Sequence, residues 1–334
     1  MNKPLEGIKI LELTHVIAAP FCGMLLGDLG ADIIKVEKPK EGEYGRIAGP
    51  YAPDGTSLWY PNYNRNKKGI TLNFKDPKGK EILEKLIKET DVFIENFRPG
   101  LLDSMNLGYK DVKKINPDII MVSLSGYGQE GPYANKTAFD MTILAIGGLM
   151  GLSGETDGVP MKMGTAIADF VAGLYGVIGT LSALTFKEKT GKGQYVDVSM
   201  LDGILSTLET SIAEYDLLKR EPKRPGNGRV YTGPSDVFKA SDGYIYIAAF
   251  FENHWNKFCK LIDREDLLND ERFKDGLSRK NNDKFLKPII SEWVENKTID
   301  EIELLLENVG VPCAPVNNME RLMKDEHIKK TKSI

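Results

Sequence analysis

In the first part of the chain, short apolar runs alternate with longer segments of helical period. From Gly7 to Pro39 the sequence reads IKILEL, a Thr-His loop, the small and apolar run APFCGMLLGDLG, and ADIIKVEKP. This predicts strand, loop, helix with a glycine stop, and strand, a βαβ unit on a parallel sheet. The rhythm recurs with GITLNF as a strand and DPKGKEILEKLIKET as an amphipathic helix opened by Asp76, with Pro77 in its first turn. DVFIENF and DIIMVSLS then read as strands, and runs this apolar suit strands covered on both faces.

The stretch GTAIADFVAGLYGVIGTLSALTFKEKTGKG is rich in small residues, with Gly164 ahead of it and Gly191 behind its lysine-rich end. It predicts a mostly buried helix of about six turns. QYVDVSM follows as a strand, and DGILSTLETSIAEYDLLKR as a helix leading into a Pro-, Gly- and Arg-rich linker, Arg220 to Arg229. Beyond it, DVFKASDGYIYIAAF predicts a hairpin turning at Ser241-Asp242-Gly243, followed by three charged amphipathic helices and GVPCAPV as a short strand. The expected fold class is α/β: a Rossmann-like parallel-sheet domain over residues 1–200, a helix and linker over 201–225, and a smaller α+β domain over 226–318.

Length supports this division, since 334 residues exceed one ordinary core. The 41% hydrophobic and 28% charged composition is that of a globular chain. A net charge of -4 offers no general attraction to nucleic acid or an anionic membrane. The N-terminal MNKPLEGIKILEL has no long apolar run, and no stretch stands out as approaching the roughly 18 apolar residues of a membrane span. The expectation is a cytoplasmic protein with neither nucleic acid nor membrane as partner. Cys22, Cys259 and Cys313 are far apart and odd in number, so they suggest buried small hydrophobes rather than a disulfide framework or a zinc site.

SLSGYGQEGP places Gly126, Gly128 and Gly131 in the G-x-G-x-x-G spacing of dinucleotide-binding turns. A dinucleotide site needs the turn to run straight into a helix and an acidic residue about 20 positions on. Pro132 follows the third glycine, YANKTAFD lacks helical period, and Glu155 and Asp157 sit in a glycine-rich loop. The glycines therefore predict a tight turn at a strand's carboxyl end and not a nicotinamide site.

No G-x-S-x-G elbow, P-loop or H-E-x-x-H motif occurs, and the only histidines are His15, His254 and His327. The unusual residue is Asp169, a carboxylate among Ala166, Ile167, Ala168, Phe170, Val171 and Ala172. Burying an unpaired charge costs several kcal/mol, so it must be exposed, capped or kept for use. Near the start of the expected helix it lies at the positive end of the macrodipole, which favours the ionised form. A structural aspartate bonded to nearby backbone and an anionic nucleophile both fit that position.

PLEGIKILELTHVIAAPFCGMLLGDLGADIIKVEKP, DVFIENFRPG, SLSGYGQEGPYA, TAIADFVAGLYG and KTGKGQYVDVSM together resemble the class III CoA-transferase family, from about Pro4 to Val316. That family includes formyl-CoA:oxalate and carnitine CoA-transferases and, as a relative, α-methylacyl-CoA racemase. The resemblance implies that Asp169 is the acyl-accepting nucleophile and that a coenzyme A thioester is the substrate, with no permanently bound cofactor and no metal. It implies CoA contacts from His15, Val16, Ala18, Lys38, Leu72, Lys75, Asn96, Phe97, Arg98 and Met105. It offers Gly226 and Gly228 in PGNGR as a loop over the site that donates to an oxyanion. It also implies an interlocked homodimer, with residues 319–334 beginning a return to the first domain in a chain whose remainder is missing.

Three positions depart from the family pattern. Ile17 stands where the oxalate enzyme has glutamine, Ser104 replaces an arginine near CoA, and Phe139 occupies the place of the racemase's basic histidine. The expectation is CoA transfer between medium monocarboxylic, 2-hydroxy, aryl or branched acids, with a racemase or epimerase and a non-catalytic CoA-binding protein as alternatives.

Overall fold

The computed structural model describes residues 3–331. Six strands, β1 (Lys9–Leu13), β2 (Asp32–Glu37), β3 (Lys67–Thr71), β4 (Val92–Glu95), β5 (Ile120–Ser125) and β6 (Tyr195–Ser199), form one sheet in the order β3-β2-β1-β4-β5-β6. Every neighbouring pair is parallel, and β4 and β5 are buried along their whole length. The expected Rossmann-like layer is present. The chain moves outward from β1 to β3 on one side and from β4 to β6 on the other, so the order reverses between β1 and β4. Open α/β sheets bind ligands beside the strands' carboxyl ends at that point.

On one face the Ala18–Asp28 helix lies against the Ile167–Thr190 helix. Small residues permit that approach: a Cβ on Gly173 would come 2.7 Å from the Phe21 ring and 2.9 Å from the Ala18 carbonyl, and one on Gly176 would come 2.9 Å from Cys22 Sγ. The long helix is less buried than its composition predicts. Ala168, Ala172, Gly173, Gly176, Thr180 and Ala183 are buried, while Leu174, Tyr175, Ile178 and Phe186 are exposed. By length and composition alone it is apolar enough to cross a membrane, contrary to the expectation that no such run exists.

The opposite face is covered by Pro77–Lys88 and Tyr109–Ile115, whose Leu83, Ile87 and Val112 pack against Leu11, Phe93 and Met121. Asp76 caps the first of these helices by accepting from the Lys78 N–H, as expected. The helix expected over 202–220 is instead two, Met200–Leu205 and Ser211–Leu218. Between them the hydroxyls of Ser206 and Thr207 donate to the Gly203 and Ile204 carbonyls, competing with the helical ladder.

The second unit carries an antiparallel sheet of β7 (Ser235–Ala240), β8 (Gly243–Ala248) and β9 (Cys313–Pro315), as the hairpin pattern predicts. Four helices rather than three, Glu252–Leu261, Gly276–Asn281, Asp283–Val294 and Ile299–Val309, enclose a core with Trp255, Phe258, Leu286 and Ile302. The chain divides between Arg220 and Glu221, and Leu152–Pro160 joins the second unit. Thr156 Oγ1 donates to the Arg224 carbonyl (2.9 Å), Arg224 Nη2 to the Gly158 carbonyl (2.6 Å) and the Gly226 N–H to the Gly154 carbonyl (3.2 Å). These bonds involve polar loops with no period, so the sequence gives no sign of them. Residues 319–331 group with the second unit, where Arg321 is paired with Asp300 and Glu303.

Candidate active site

A cavity of about 420 Å³ opens at the reversal point of the sheet. Its walls are the loops that leave the carboxyl ends of β1, β4 and β5, closed by the segment around Lys136 to Phe139 and by Asp169. The glycines after β5 form a tight turn with no helix behind it, as expected: Gly128 and Gly131 have φ of +83° and +93°, and the next helix begins only at Asp140.

The loop after β1 is held by side chains from other elements. Asn96 brackets His15, accepting from its N–H and donating to its carbonyl, both at 2.9 Å. Val16 sits at φ +66°, unusual for a β-branched residue, and its N–H donates to Glu43 Oε2 at 3.0 Å. Burial, reinforced by the nearby Lys35 ammonium, pushes the His15 imidazole below its ordinary range, so the ring is neutral at pH 7. The loop after β4 has a similar anchor. Glu95 Oε2 accepts from the Phe97 N–H at 2.8 Å, and burial lifts this carboxyl to about 7.

Two cations face the cavity from this side of the sheet. Arg98 donates to Thr137 Oγ1 at 3.2 Å, and Lys136 lies 3.6 Å above the Tyr133 ring while lining the same space. Both leave charge available to an anionic ligand, on a chain whose net charge is -4.

Asp169 lies in the first turn of the Ile167–Thr190 helix, with its carboxyl at the cavity wall. The helix is capped from outside: Ala166 has no side-chain cap, and Asp140 Oδ1 accepts from the Ala168 N–H at 2.8 Å and also takes the Asp169 N–H. This changes the expected electrostatics. Burial raises the Asp169 carboxyl to about 7 and the neighbouring Asp140 carboxylate adds to the rise, while the Ala18 N–H that faces it acts in the other direction. The expectation that the helix start favours the ion is thus corrected, because burial, with a second carboxylate at the terminal N–H groups, outweighs the helix start.

The predicted residues divide cleanly. His15, Val16, Ala18, Asn96, Phe97, Arg98, Phe139 and Asp169 all line the cavity. Ile17 is buried at the start of the Ala18–Asp28 helix and is not among the lining residues. Lys38 is exposed and paired with Glu41, Lys75 is exposed, and Leu72 and Met105 are partly buried against the core beneath β1 and β4. Gly226 (φ +63°) and Gly228 lie in the turn of the second unit described above. Sequence reasoning missed Lys136, Asp140, Glu43 and Glu95. The only local signal was Asp140 just ahead of the apolar run MTILAI. Among the described residues no group of three or more His, Cys, Asp and Glu side chains could hold a metal ion.

A Rossmann-order sheet with a cation-lined cavity and a carboxyl of raised pKa at its wall suits an enzyme acting on an anionic substrate. Residues 5–334 match the model of CoA-transferase family III, and the chain belongs to that family as a class III CoA-transferase. It is 40% identical to the human succinyl-CoA:glutarate CoA-transferase, over 98% of this chain and 74% of that protein. The succinyl-CoA–D-citramalate CoA-transferase of Chloroflexus aurantiacus is 34% identical, over 99% of this chain and 83% of that one. The acetyl-CoA:oxalate CoA-transferase of Acetobacter aceti is 36% identical, with 94% and 80% covered. The crystal structure of a CaiB/BaiF family protein from Brucella suis superposes with a TM-score of 0.91 at 37% identity, covering 99% of this chain and 88% of that one.

Proposed function

We propose that this protein moves CoA from an acyl-CoA to a free carboxylic acid through covalent intermediates on Asp169. The observation that carries the reading is the Asp169 carboxyl at the wall of a cavity whose other walls hold Arg98, Lys136 and the His15–Ala18 loop. An ionised Asp169 oxygen attacks the thioester carbonyl carbon, the C–S bond breaks, and CoA leaves as thiolate from a mixed anhydride. The thiolate attacks the aspartyl carbonyl, releasing the donor acid and leaving an aspartyl-CoA thioester. The acceptor carboxylate then displaces thiolate to form a second anhydride. Attack of thiolate on the acceptor's acyl carbon gives the new thioester and returns the Asp169 carboxylate. Each step exchanges bonds of similar energy, so the cycle consumes no external energy source. Holding the weak nucleophile against the carbonyl supplies effective molarities of up to ~10⁵ M or more.

Arg98 and Lys136 are suited to the diphosphate of CoA. For the acids, Ile17 is buried and outside the cavity lining, which leaves Phe139 as the apolar side chain there in favour of monocarboxylic partners. The relatives' named substrates favour dicarboxylic acids, with succinyl-CoA the first donor to try. Phe139 lines the cavity with a ring that can abstract no proton, which disfavours racemisation. The exposed Leu174, Tyr175 and Ile178 support a homodimer.

Incubation with succinyl-CoA followed by hydroxylamine and peptide mapping tests the chemistry. The hydroxamate is expected on the peptide holding Asp169, with transfer abolished in Asp169→Ala and Asp169→Asn. An unmodified peptide at full turnover refutes the covalent role.

A further inference from the structure

Resting on the transferase reading, we propose that Glu43 is a positioning residue for the reaction: its carboxylate holds the strained loop that aims the Ala18 N–H at Asp169. The loop from Thr14 to Ala18 connects β1 to the next helix and forms one wall of the cavity. Lys35 Nζ, itself fully buried, donates to the Thr14 carbonyl at 3.0 Å, and Asn96 takes both backbone groups of His15. Val16 then adopts φ +66°, a conformation that costs a β-branched residue energy and persists only where the surroundings impose it. The imposed partner of its N–H is Glu43 Oε2, which also lies 3.9 Å from Lys35 Nζ.

Glu43 is in turn fixed from behind. Its own N–H donates to Glu37 Oε2 at 3.0 Å, and Glu37 is clamped by Arg46 Nε and Nη2 and by the Tyr60 hydroxyl, each at 2.7 Å. A continuous series of bonded groups therefore runs from the Glu37–Arg46 pair through Glu43 and Val16 to Ala18, whose N–H faces the Asp169 carboxylate. Relaxing Val16 to negative φ would turn the following peptides and withdraw that donor. Glu43 is buried and does not line the cavity, so its influence on the reaction passes through the loop.

The full chain with Glu43→Ala and Glu43→Gln tests the assignment, using succinyl-CoA and glutarate for kinetics and amide hydrogen exchange of the peptide over 14–21 without ligand. Glutamine can present its amide oxygen to the Val16 N–H and place its amide nitrogen at the Oε1 position, which has no hydrogen-bond partner in the wild type. Glu43→Ala is expected to lower kcat roughly 10- to 100-fold, the scale of a misplaced reacting group. KM for succinyl-CoA should change less than about threefold, because the cations on the other loops are untouched. Exchange over 14–21 should quicken while β1 stays protected. Glu43→Gln should keep the protection and most of kcat, and Val16→Gly should reduce the cost of Glu43→Ala by removing the strain. Unchanged exchange in Glu43→Ala, or equal damage from Ala and Gln, overturns the proposal. If Glu43→Ala does not fold, Glu43→Asp, one methylene too short to reach Val16, takes its place with the same expectations. A wild-type protein that transfers no CoA refutes the proposed function, while the exchange data still judge Glu43.

Discussion

At the scale of single residues, the proposed reaction turns on how two aspartates share one helix start. Asp140 takes the N–H groups of Ala168 and Asp169 and so places a carboxylate beside the Asp169 carboxyl, which burial already raises to about 7. In the proposed reaction only the ionised form attacks, so the rate is expected to rise with pH through about 7 and level off above it. Asp140→Asn keeps an oxygen for the Ala168 N–H but removes the neighbouring charge. The acid limb of kcat/KM should then move to lower pH by up to about one unit. A limb that stays in place assigns it to another group. Asp169 was legible in the sequence because a lone carboxylate in a small, apolar run demands an explanation. Asp140 was not, because its partner Ala168 lies 28 positions away and meets it only when the two helices fold together.

At the scale of elements, the pairing of the Ala18–Asp28 and Ile167–Thr190 helices sets the distance between the first loop and Asp169. A Cβ on Gly173 would press on the Ala18 carbonyl, a backbone atom that cannot swing aside as a side chain can. Gly173→Ala is therefore expected to destabilise the protein by about 1–3 kcal/mol in urea unfolding and to lower kcat as the Ala18 N–H shifts from Asp169. A variant as stable and active as wild type would show that the crossing tolerates more than its geometry implies. The strands, the Asp76-capped helix and the hairpin were readable from periodicity, because each presents its pattern locally. The break between Met200–Leu205 and Ser211–Leu218, and the bond-by-bond attachment of Leu152–Pro160 to the second unit, were not. Hydroxyls and loop carbonyls carry no period, and what they bond to is decided by folding.

For the whole molecule, an acidic chain concentrates positive charge at one crevice of its sheet. Arg98 and Lys136 reach it from loops that follow different strands, and burial keeps His15 beside them neutral. Replacing Arg98 or Lys136 with Ala is expected to raise KM for the acyl-CoA about tenfold, with kcat within a few-fold of wild type. That is the effect of losing one charge-assisted bond. In the wild type, added salt should raise the same KM. Salt-independent KM values would place the diphosphate elsewhere.

The sequence by itself determined the alternation of strand and helix, the family, and the position of the carboxylate to test, since local pattern and a series of ordered motifs carry all three. Tertiary structure decided which of the expected contacts converge. It brought His15, Asn96 and Arg98 to one cavity and left Lys38 and Lys75 exposed away from its lining. It also supplied the buried carboxylates Glu43 and Glu95 and the partly buried Asp140, which hold the loops and the helix start in place. A residue's identity sets the chemistry it can perform. The neighbours that bury, pair or orient it come from distant strands, and only the closed sheet with its helices brings them together.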